Sequence, residues 1–269
     1  MLLRLLLLLC PSLALAAPPA GVPHLDSRGQ AAYQNFLSAA APRAFALAPG
    51  GAHAWVAEAV SEEAAETQAL ANCRRHSEQT CVLFAVNGQQ VFDGKRWATL
   101  WGPYSDAAAS ARAPVGMKRG MRFPDLALTD AGGRELRLGD LQGRVLVLHF
   151  WGSWCPHCRA EMPGLQRLSR HLRREKVVFA LVQVREDAAS ARNWLKRNRI
   201  SMPLYDSGAR GASDAALPLA GGGMLADREI ARAFPATYVL GRNGVVLFSH
   251  TGAISDWSQY AAFLRHAAR

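Results

Sequence analysis

Two cysteines separated by two residues, Cys155 and Cys158, form the most reactive pattern in the sequence. They follow the apolar run 145–150, which predicts a buried strand, and they open a stretch with helical periodicity. At a helix N-terminus, free backbone N–H groups and the positive end of the helix dipole favour a thiolate over a thiol. The pattern therefore predicts a redox-active dithiol in which Cys155 attacks and Cys158, one turn further in, resolves.

The two residues between the cysteines are expected to tune this dithiol. Pro156 fits the first helical turn because its missing N–H would have no partner inside the helix there. His157 adds a positive charge or a hydrogen-bond donor near Cys155, which stabilises the thiolate and makes the disulfide a stronger oxidant. We expect no metal and no cofactor, because a zinc site uses four ligands and this half of the chain supplies one cysteine pair. A Cu(I) site that adds a histidine to the pair is the alternative.

Two further titratable residues lie close to the pair in sequence. Glu161 follows Cys158 by three residues, so on a helix it shares a face with that thiol and is a candidate to take its proton. The alternative is a solvated helix charge. His149 lies on the buried strand, where it either tunes the site or is a core histidine hydrogen-bonded to the backbone.

The N-terminus indicates the compartment. Residues 1–16 combine a short basic start, an apolar run and a small-x-small ending, which is typical of a secretory signal peptide. No later apolar run is long enough to span a membrane, so no transmembrane anchor is expected after cleavage. Four cysteines then remain, Cys73, Cys81, Cys155 and Cys158. We expect a periplasmic or secreted protein in which disulfides form by default.

Length and composition predict two globular domains. The chain has 269 residues, of which 50% are apolar and 19% charged, too apolar for a disordered protein. Residues 17–114 carry 7 Lys and Arg against 8 Asp and Glu, whereas residues 115–269 carry 23 against 13. The basic second half indicates a solvated basic face with a preference for acidic partners, and we expect no nucleic-acid partner.

The first domain is predicted over residues 24–106 as a small α+β unit. Strand-like runs flank two hairpin signals, and Ser61 is placed to cap the Ala/Glu-rich helix between them. Cys73 near the end of that helix and Cys81 at the next strand have a spacing that a helix-to-strand turn closes into a disulfide. A structural role is favoured over a redox role, since Cys73 is near the helix C-terminus. The outline resembles small secreted two-cysteine domains of unknown function and implies no activity.

An edge segment that starts at Lys95 and a linker over residues 107–117 are predicted to join this domain to the second, residues 118–269. There, strands alternate with helices, which predicts an α/β fold with parallel strands. The Gly/Ala-rich stretch 208–225 has no clear period and is predicted to be a flexible loop.

The second domain resembles the TlpA/ResA/DsbE group of secreted thioredoxin-like proteins. The motifs that carry the resemblance are Gly120-x-x-Phe123-Pro124-Asp125-Leu126, Leu141-x-Gly143-Arg144, the block from Phe150 to Pro163, Phe234-Pro235-Ala236-Thr237-Tyr238, and Gly252 before Trp257. The resemblance implies a thioredoxin fold, Cys155 as nucleophile, Cys158 as resolving thiol, the family glutamate at Glu161, and a cis proline at Pro235. Client binding is assigned to Trp154, Phe234 and Ala236, with a client strand added alongside the proline.

The function expected from this resemblance is a thiol-disulfide oxidoreductase. It implies reduction of client-protein disulfides, such as apocytochrome c or copper-site cysteines, with electrons from a membrane thiol reductase. A DsbA-like oxidase is the alternative within the same chemistry, because the Pro-His dipeptide is found in such oxidants. A copper-delivery or protein-binding module is the alternative outside enzymes.

Overall fold

The computed structural model of the chain describes residues 21–211 and 215–269. The predicted signal peptide, residues 1–16, lies outside the described residues. No helix in the described ranges is long and apolar enough to cross a membrane.

An N-terminal unit is built around a four-stranded antiparallel sheet. Its elements are α1 (Ser27–Ser38), β1 (Ala44–Leu47), β2 (His53–Val56), α2 (Glu62–Arg74), β3 (Val82–Val86) and β4 (Gln89–Gln90), with sheet order β2-β1-β3-β4. The side chains of Asp26 and Ser61 cap α1 and α2 by accepting from backbone N–H groups. Asn87 and Gly88 both have positive φ, as the tight turn between β3 and β4 requires.

The central strand β1 is buried on both faces because its side chains alternate between two helices. Phe45 and Leu47 pack with Phe36 of α1, whereas Ala44 and Ala46 pack with alanines of α2 and with Cys73. A disulfide joins Cys73 at the end of α2 to Cys81 just before β3.

The junction between the two units differs from the predicted edge segment and linker. A 3₁₀ helix occupies Gly94–Trp101, started by the Asp93 side chain, and α3 (Ala107–Arg112) is capped by Asp106. Trp101 is fully buried and stacks on Phe263 with ring centroids 4.1 Å apart. The tryptophan therefore anchors this segment in the core of the second unit. That burial is the physical reason why the segment folds as helical turns against the second unit.

The C-terminal unit is an α/β structure with a seven-stranded sheet of order β13-β12-β7-β8-β9-β5-β6. Its strands and helices are β5 (Ala127–Thr129), β6 (Glu135–Arg137), β7 (Val145–Trp151), α4 (Pro156–His171), β8 (Val177–Gln183), α5 (Ala188–Arg197), β9 (Leu204–Asp206), β10 (Ala216–Pro218), β11 (Met224–Ala226), α6 (Asp227–Ile230), β12 (Ala236–Leu240), β13 (Val246–Thr251) and α7 (Ala261–Ala267). Short 3₁₀ helices lie at Leu138–Leu141 and Trp257–Tyr260. The pairs β7–β8 and β8–β9 are parallel, and the other pairs of this sheet are antiparallel.

The stretch predicted as a flexible loop contains a hairpin. β10 and β11 pair antiparallel, Leu217 opposite Leu225, and both leucines are buried. The turn uses Gly222 and Gly223 at positive φ. Two three-residue strands give too short a pattern to stand out in sequence, whereas in the fold their leucines join the core of this unit.

Candidate active site

The pair Cys155 and Cys158 lies where the fully buried strand β7 ends and α4 begins. Cys155 is the N-cap residue of α4, and its Sγ accepts a hydrogen bond from the Cys158 backbone N–H at 3.1 Å. The two residues are joined in a disulfide, with Cys155 3% exposed and Cys158 fully buried. A sulfur at this position lies against the free N–H groups of the first turn, which stabilise negative charge on it.

The second element of the site is the loop before β12. The Phe234–Pro235 peptide bond is cis, and Cys155 Sγ lies 3.5 Å from the Phe234 carbonyl oxygen. The carbonyl of Pro235 accepts from the Gly252 N–H, so it is already engaged. Ala236, assigned to client binding, is buried and sits in the sheet between Phe150 and Thr251. It has no free sheet edge, and this corrects that assignment.

An aromatic surface borders the disulfide. Trp154 is 45% exposed, and its ring meets that of Phe234 edge-on at 6.4 Å. The indole N–H donates to the Val184 carbonyl at 3.0 Å, which fixes the ring over Gly152. A Cβ at Gly152 would come within 2.1 Å of the indole nitrogen, so this close approach requires glycine.

Polar residues that follow β8 complete the site, and sequence reasoning missed them. The carboxylate of Glu186 accepts from both the backbone N–H and the hydroxyl of Ser153, at 2.6 and 2.5 Å. Arg185 forms an ion pair with the buried Asp227 and places its guanidinium 5.2 Å from the centre of the Phe234 ring. A signal was available, since β7 and β8 are parallel and the residues after them meet at one edge of the sheet.

Glu161, on α4 three residues after Cys158, is buried rather than solvated. Its Oε2 accepts from the Ile254 N–H at 2.9 Å and from the Trp257 indole N–H at 3.0 Å. Burial raises the pKa of Glu161 to about 7, although these two donors act in the opposite direction. A carboxyl that titrates near neutrality, one helical turn from Cys158, is suited to exchange a proton with it.

His149 is also buried, and its partner is a side chain rather than the backbone. Its Nδ1 lies 3.0 Å from the Thr237 hydroxyl, and its Nε2 lies 3.5 Å from Glu161 Oε1. Burial lowers the pKa of His149 to about 3, so the imidazole is neutral at physiological pH. The structure thus brings His149 and Glu161 together, which their sequence positions alone did not reveal.

Pro156 and His157 both lie exposed in the first turn of α4. Within the described residues, no three His, Cys, Asp or Glu side chains are grouped so that they could hold a metal ion. The geometry therefore brings together a disulfide at a helix N-terminus, a cis proline, an exposed aromatic surface and a buried carboxyl.

Comparison with known proteins covers this half of the chain. Residues 118–264 match the Redoxin family, which is more than half of the 269 residues. The chain belongs to the Redoxin family. The N-terminal unit lies outside the matched residues.

Individual relatives are similar to about half of this Redoxin chain. The thioredoxin-like protein YneN of Bacillus subtilis (strain 168) is 28% identical over 145 residues, covering 54% of this chain and 78% of YneN. The thiol-disulfide oxidoreductase ResA of the same organism is 26% identical over 145 residues, covering 52% of this chain and 71% of ResA. ResA of Geobacillus thermodenitrificans is 30% identical over 136 residues, with coverages of 51% and 71%. A solved thiol:disulfide interchange protein of the thioredoxin family from Chlorobium tepidum aligns at 17% identity and a TM-score of 0.43, covering 56% of this chain and 99% of that chain.

The match to the Redoxin family and the similarity to YneN and ResA confirm the predicted thioredoxin-like α/β fold and its resemblance to the TlpA/ResA/DsbE group. They also confirm that this Redoxin protein is a thiol-disulfide oxidoreductase.

Proposed function

We propose that this protein is an extracytoplasmic reductase of client-protein disulfides, with Cys155 as nucleophile and Cys158 as resolving thiol. The observation that carries the proposal is the position of the Cys155–Cys158 disulfide. It lies between the Phe234 carbonyl, where a client chain approaches, and the helical turn that bears the buried carboxyl of Glu161.

In the first step, the Cys155 thiolate attacks one sulfur of a client disulfide. The client S–S bond breaks, a mixed disulfide forms, and the other client sulfur leaves as a thiolate. In the second step, Glu161 accepts the proton of Cys158, and the Cys158 thiolate attacks Cys155 Sγ. The bond between Cys155 and the client breaks, so the client has gained two electrons and the enzyme holds the disulfide seen in the structure.

The client chain is proposed to lie across Trp154 and alongside Phe234. Trp154 offers an exposed aromatic surface whose orientation is fixed by its hydrogen bond to Val184. The guanidinium of Arg185 over the Phe234 ring adds a positive charge at this edge. Because Pro235 and Ala236 are engaged within the fold, strand addition is restricted to the backbone of Phe234.

The compartment and the partners extend this proposal. The signal-like N-terminus and the Cys73–Cys81 disulfide support a periplasmic location, since disulfides persist in oxidising compartments. Clients of the apocytochrome c or copper-site type, and a membrane thiol reductase as electron donor, follow from the resemblance to the TlpA/ResA/DsbE group.

The direction of electron flow can be tested with a peptide that contains one cysteine pair. Reduced enzyme is mixed with the disulfide peptide, oxidised enzyme is mixed with the dithiol peptide, and both mixtures are quenched with acid and alkylated. A reductase leaves the peptide reduced in both mixtures at equilibrium, and its potential lies below that of the glutathione couple. A peptide left oxidised in both would establish the oxidase, which the exposed His157 beside the pair would favour. Cys155→Ser is the inactive control.

A further inference from the structure

Glu161 is only half satisfied by the hydrogen bonds described above. Its Oε2 has two donors, from Ile254 and Trp257, whereas its Oε1 is buried and has no hydrogen-bond partner. The atom that faces Oε1 is Nε2 of His149, 3.5 Å away, which is itself buried and unpartnered. A buried polar atom without a hydrogen bond costs free energy. A small movement that brings these two atoms closer lets them form a hydrogen bond with each other.

Strand register explains why His149 points at this carboxyl. His149 on β7 lies directly opposite Thr237 on the neighbouring strand β12, so their side chains share one face of the sheet. The Thr237 hydroxyl lies 3.0 Å from Nδ1 and therefore sets the ring orientation. Both residues are 1% exposed, which excludes solvent from the arrangement.

The protonation of each group determines which way the hydrogen bonds run. A neutral imidazole carries one N–H. When the Thr237 hydroxyl donates to Nδ1, the N–H is on Nε2 and points at Glu161 Oε1. The other groups around the carboxyl are Cys158 on α4, the Trp257 indole and Tyr260, whose pKa is raised by burial so that it stays neutral. Of these neighbours, His149 is the one that faces the unpartnered oxygen.

We propose that His149, held by Thr237 as the Nε2–H tautomer, is a positioning residue that donates a hydrogen bond to Glu161 Oε1 and so sets the pH at which Glu161 takes the proton of Cys158. This inference deepens the proposed function and rests on it for the step that it controls. A donor to the ionised carboxylate favours the charged form, so the pair keeps Glu161 ready to accept a proton near neutral pH.

A titration of the oxidised protein tests the hydrogen bond without interference from free thiols. The carboxyl signal of Glu161 is followed by infrared or ¹³C NMR against pH, and Glu161→Gln identifies the signal. Loss of the donor in His149→Leu should raise the midpoint by roughly one pH unit. Thr237→Val, which keeps the shape but loses the hydroxyl, should raise it less, and Thr237→Ser should restore the wild-type midpoint.

A kinetic measurement connects this midpoint to the reaction. A mixed disulfide between Cys155 and a peptide is formed, and peptide release by Cys158 is timed against pH. A midpoint raised by one unit from near 7 predicts that His149→Leu releases the peptide about five-fold more slowly at pH 7 and recovers at higher pH.

The two measurements separate this inference from the proposed function. An unchanged or lowered Glu161 midpoint in both His149→Leu and Thr237→Val overturns the inference, whatever the activity. Failure of the wild-type protein to reduce any disulfide peptide overturns the proposed function and leaves the titration still decisive for the hydrogen bond. If His149→Leu does not fold, the pair Thr237→Val and Thr237→Ser decides.

Discussion

In the described part of the chain, two disulfides lie at opposite ends of their helices, one at the C-terminal end of α2 and the other at the N-terminal end of α4. Cys73 is in the last turn of α2 and pairs with Cys81 at a Cα–Cα distance of 6.1 Å. Cys155 caps the start of α4 and pairs with Cys158 at 5.3 Å. Helix polarity makes these positions unequal, because the N-terminus stabilises a thiolate and the C-terminus opposes one. The position of a cysteine on its helix thus says more about its chemistry than its presence in a disulfide.

The surroundings of the two disulfides strengthen this contrast. Cys73 and Cys81 belong to a small core of alanines supplied by β1 and α2. Cys155 and Cys158 border an exposed tryptophan, the Phe234 carbonyl and the helical turn that bears the buried carboxyl of Glu161. Apolar packing favours a structural role for the first disulfide, which stays a prediction, whereas the second has groups suited to bind a client and move a proton.

The largest effect is expected from single cysteine changes at the second disulfide. Cys155→Ser should abolish disulfide exchange, because the attacking sulfur is lost, whereas Cys158→Ser should accumulate a mixed disulfide with the client. Non-reducing gels and mass spectrometry of enzyme mixed with a disulfide peptide show the difference. Equal residual activity of the two variants would contradict their division of roles.

At the first disulfide, the expected loss is in stability. The free energy of unfolding of the double variant Cys73→Ala/Cys81→Ala should be about 2.5 kcal/mol lower than that of wild type, as chain entropy predicts for a closed loop of this length. It should reduce a disulfide peptide at the wild-type rate under conditions where it is folded. Denaturant unfolding and turnover of the same samples are compared, and a loss of turnover in folded protein would contradict the structural assignment.

The order in which the two disulfides open offers a second comparison. A structural bridge has a lower reduction potential than a catalytic one. Titration with a dithiol should therefore alkylate Cys155 and Cys158 at reductant levels that leave Cys73 and Cys81 joined. Peptide mapping of the alkylated protein shows the order. Alkylation of Cys73 at lower reductant levels than Cys155 would contradict the structural role of the first disulfide.

The sequence predicted the features of both units that depend on residues close together in the chain. The cap at Ser61, the hairpin turn at Asn87-Gly88 and the entry of β7 into α4 are set by residues a few positions apart. The pairing of His149 with Thr237 joins positions 88 residues apart and depends on sheet order, which one sequence does not specify. The contact of Trp101 with Phe263 likewise joins positions far apart in the chain and depends on how the junction packs on the second unit.

Near the second disulfide, the buried pair of Glu161 and His149 should make the stability of the protein depend on pH. The pKa of Glu161 is raised from 4.5 to about 7, so the folded state holds an extra proton and stability falls as pH rises through that range. The pKa of His149 is lowered from 6.5 to about 3, so the unfolded state holds the extra proton and stability rises with pH. The two slopes oppose each other where the ranges overlap.

Removing either residue should therefore expose the slope of the other. Between pH 4.5 and 6.5, Glu161→Gln should make stability rise with pH more steeply than in wild type, by up to about 1.4 kcal/mol per unit. His149→Leu should change the slope by a similar amount in the opposite direction. The Cys73→Ala/Cys81→Ala variant is the control and should lie parallel to wild type. Equal slopes in all four proteins would show that the pair is not protonated as its burial requires.

The smallest effect is expected at His157, which is exposed in the first turn of α4 beside Cys155. A positive charge or donor there stabilises the thiolate and hence the reduced dithiol, so His157→Gln should lower the reduction potential of the Cys155–Cys158 pair. The shift should not exceed about 20 mV, because a group on the surface of a helix end contributes weakly.

Arg167→Gln removes an exposed charge from the middle of the same helix and is the matched control. Potentials are measured by equilibration with glutathione at two salt concentrations, since added salt should shrink a charge effect. Equal potentials for His157→Gln and wild type would leave the tuning to the helix N-terminus alone, and the contrast between the two disulfides would then rest on helix polarity and burial.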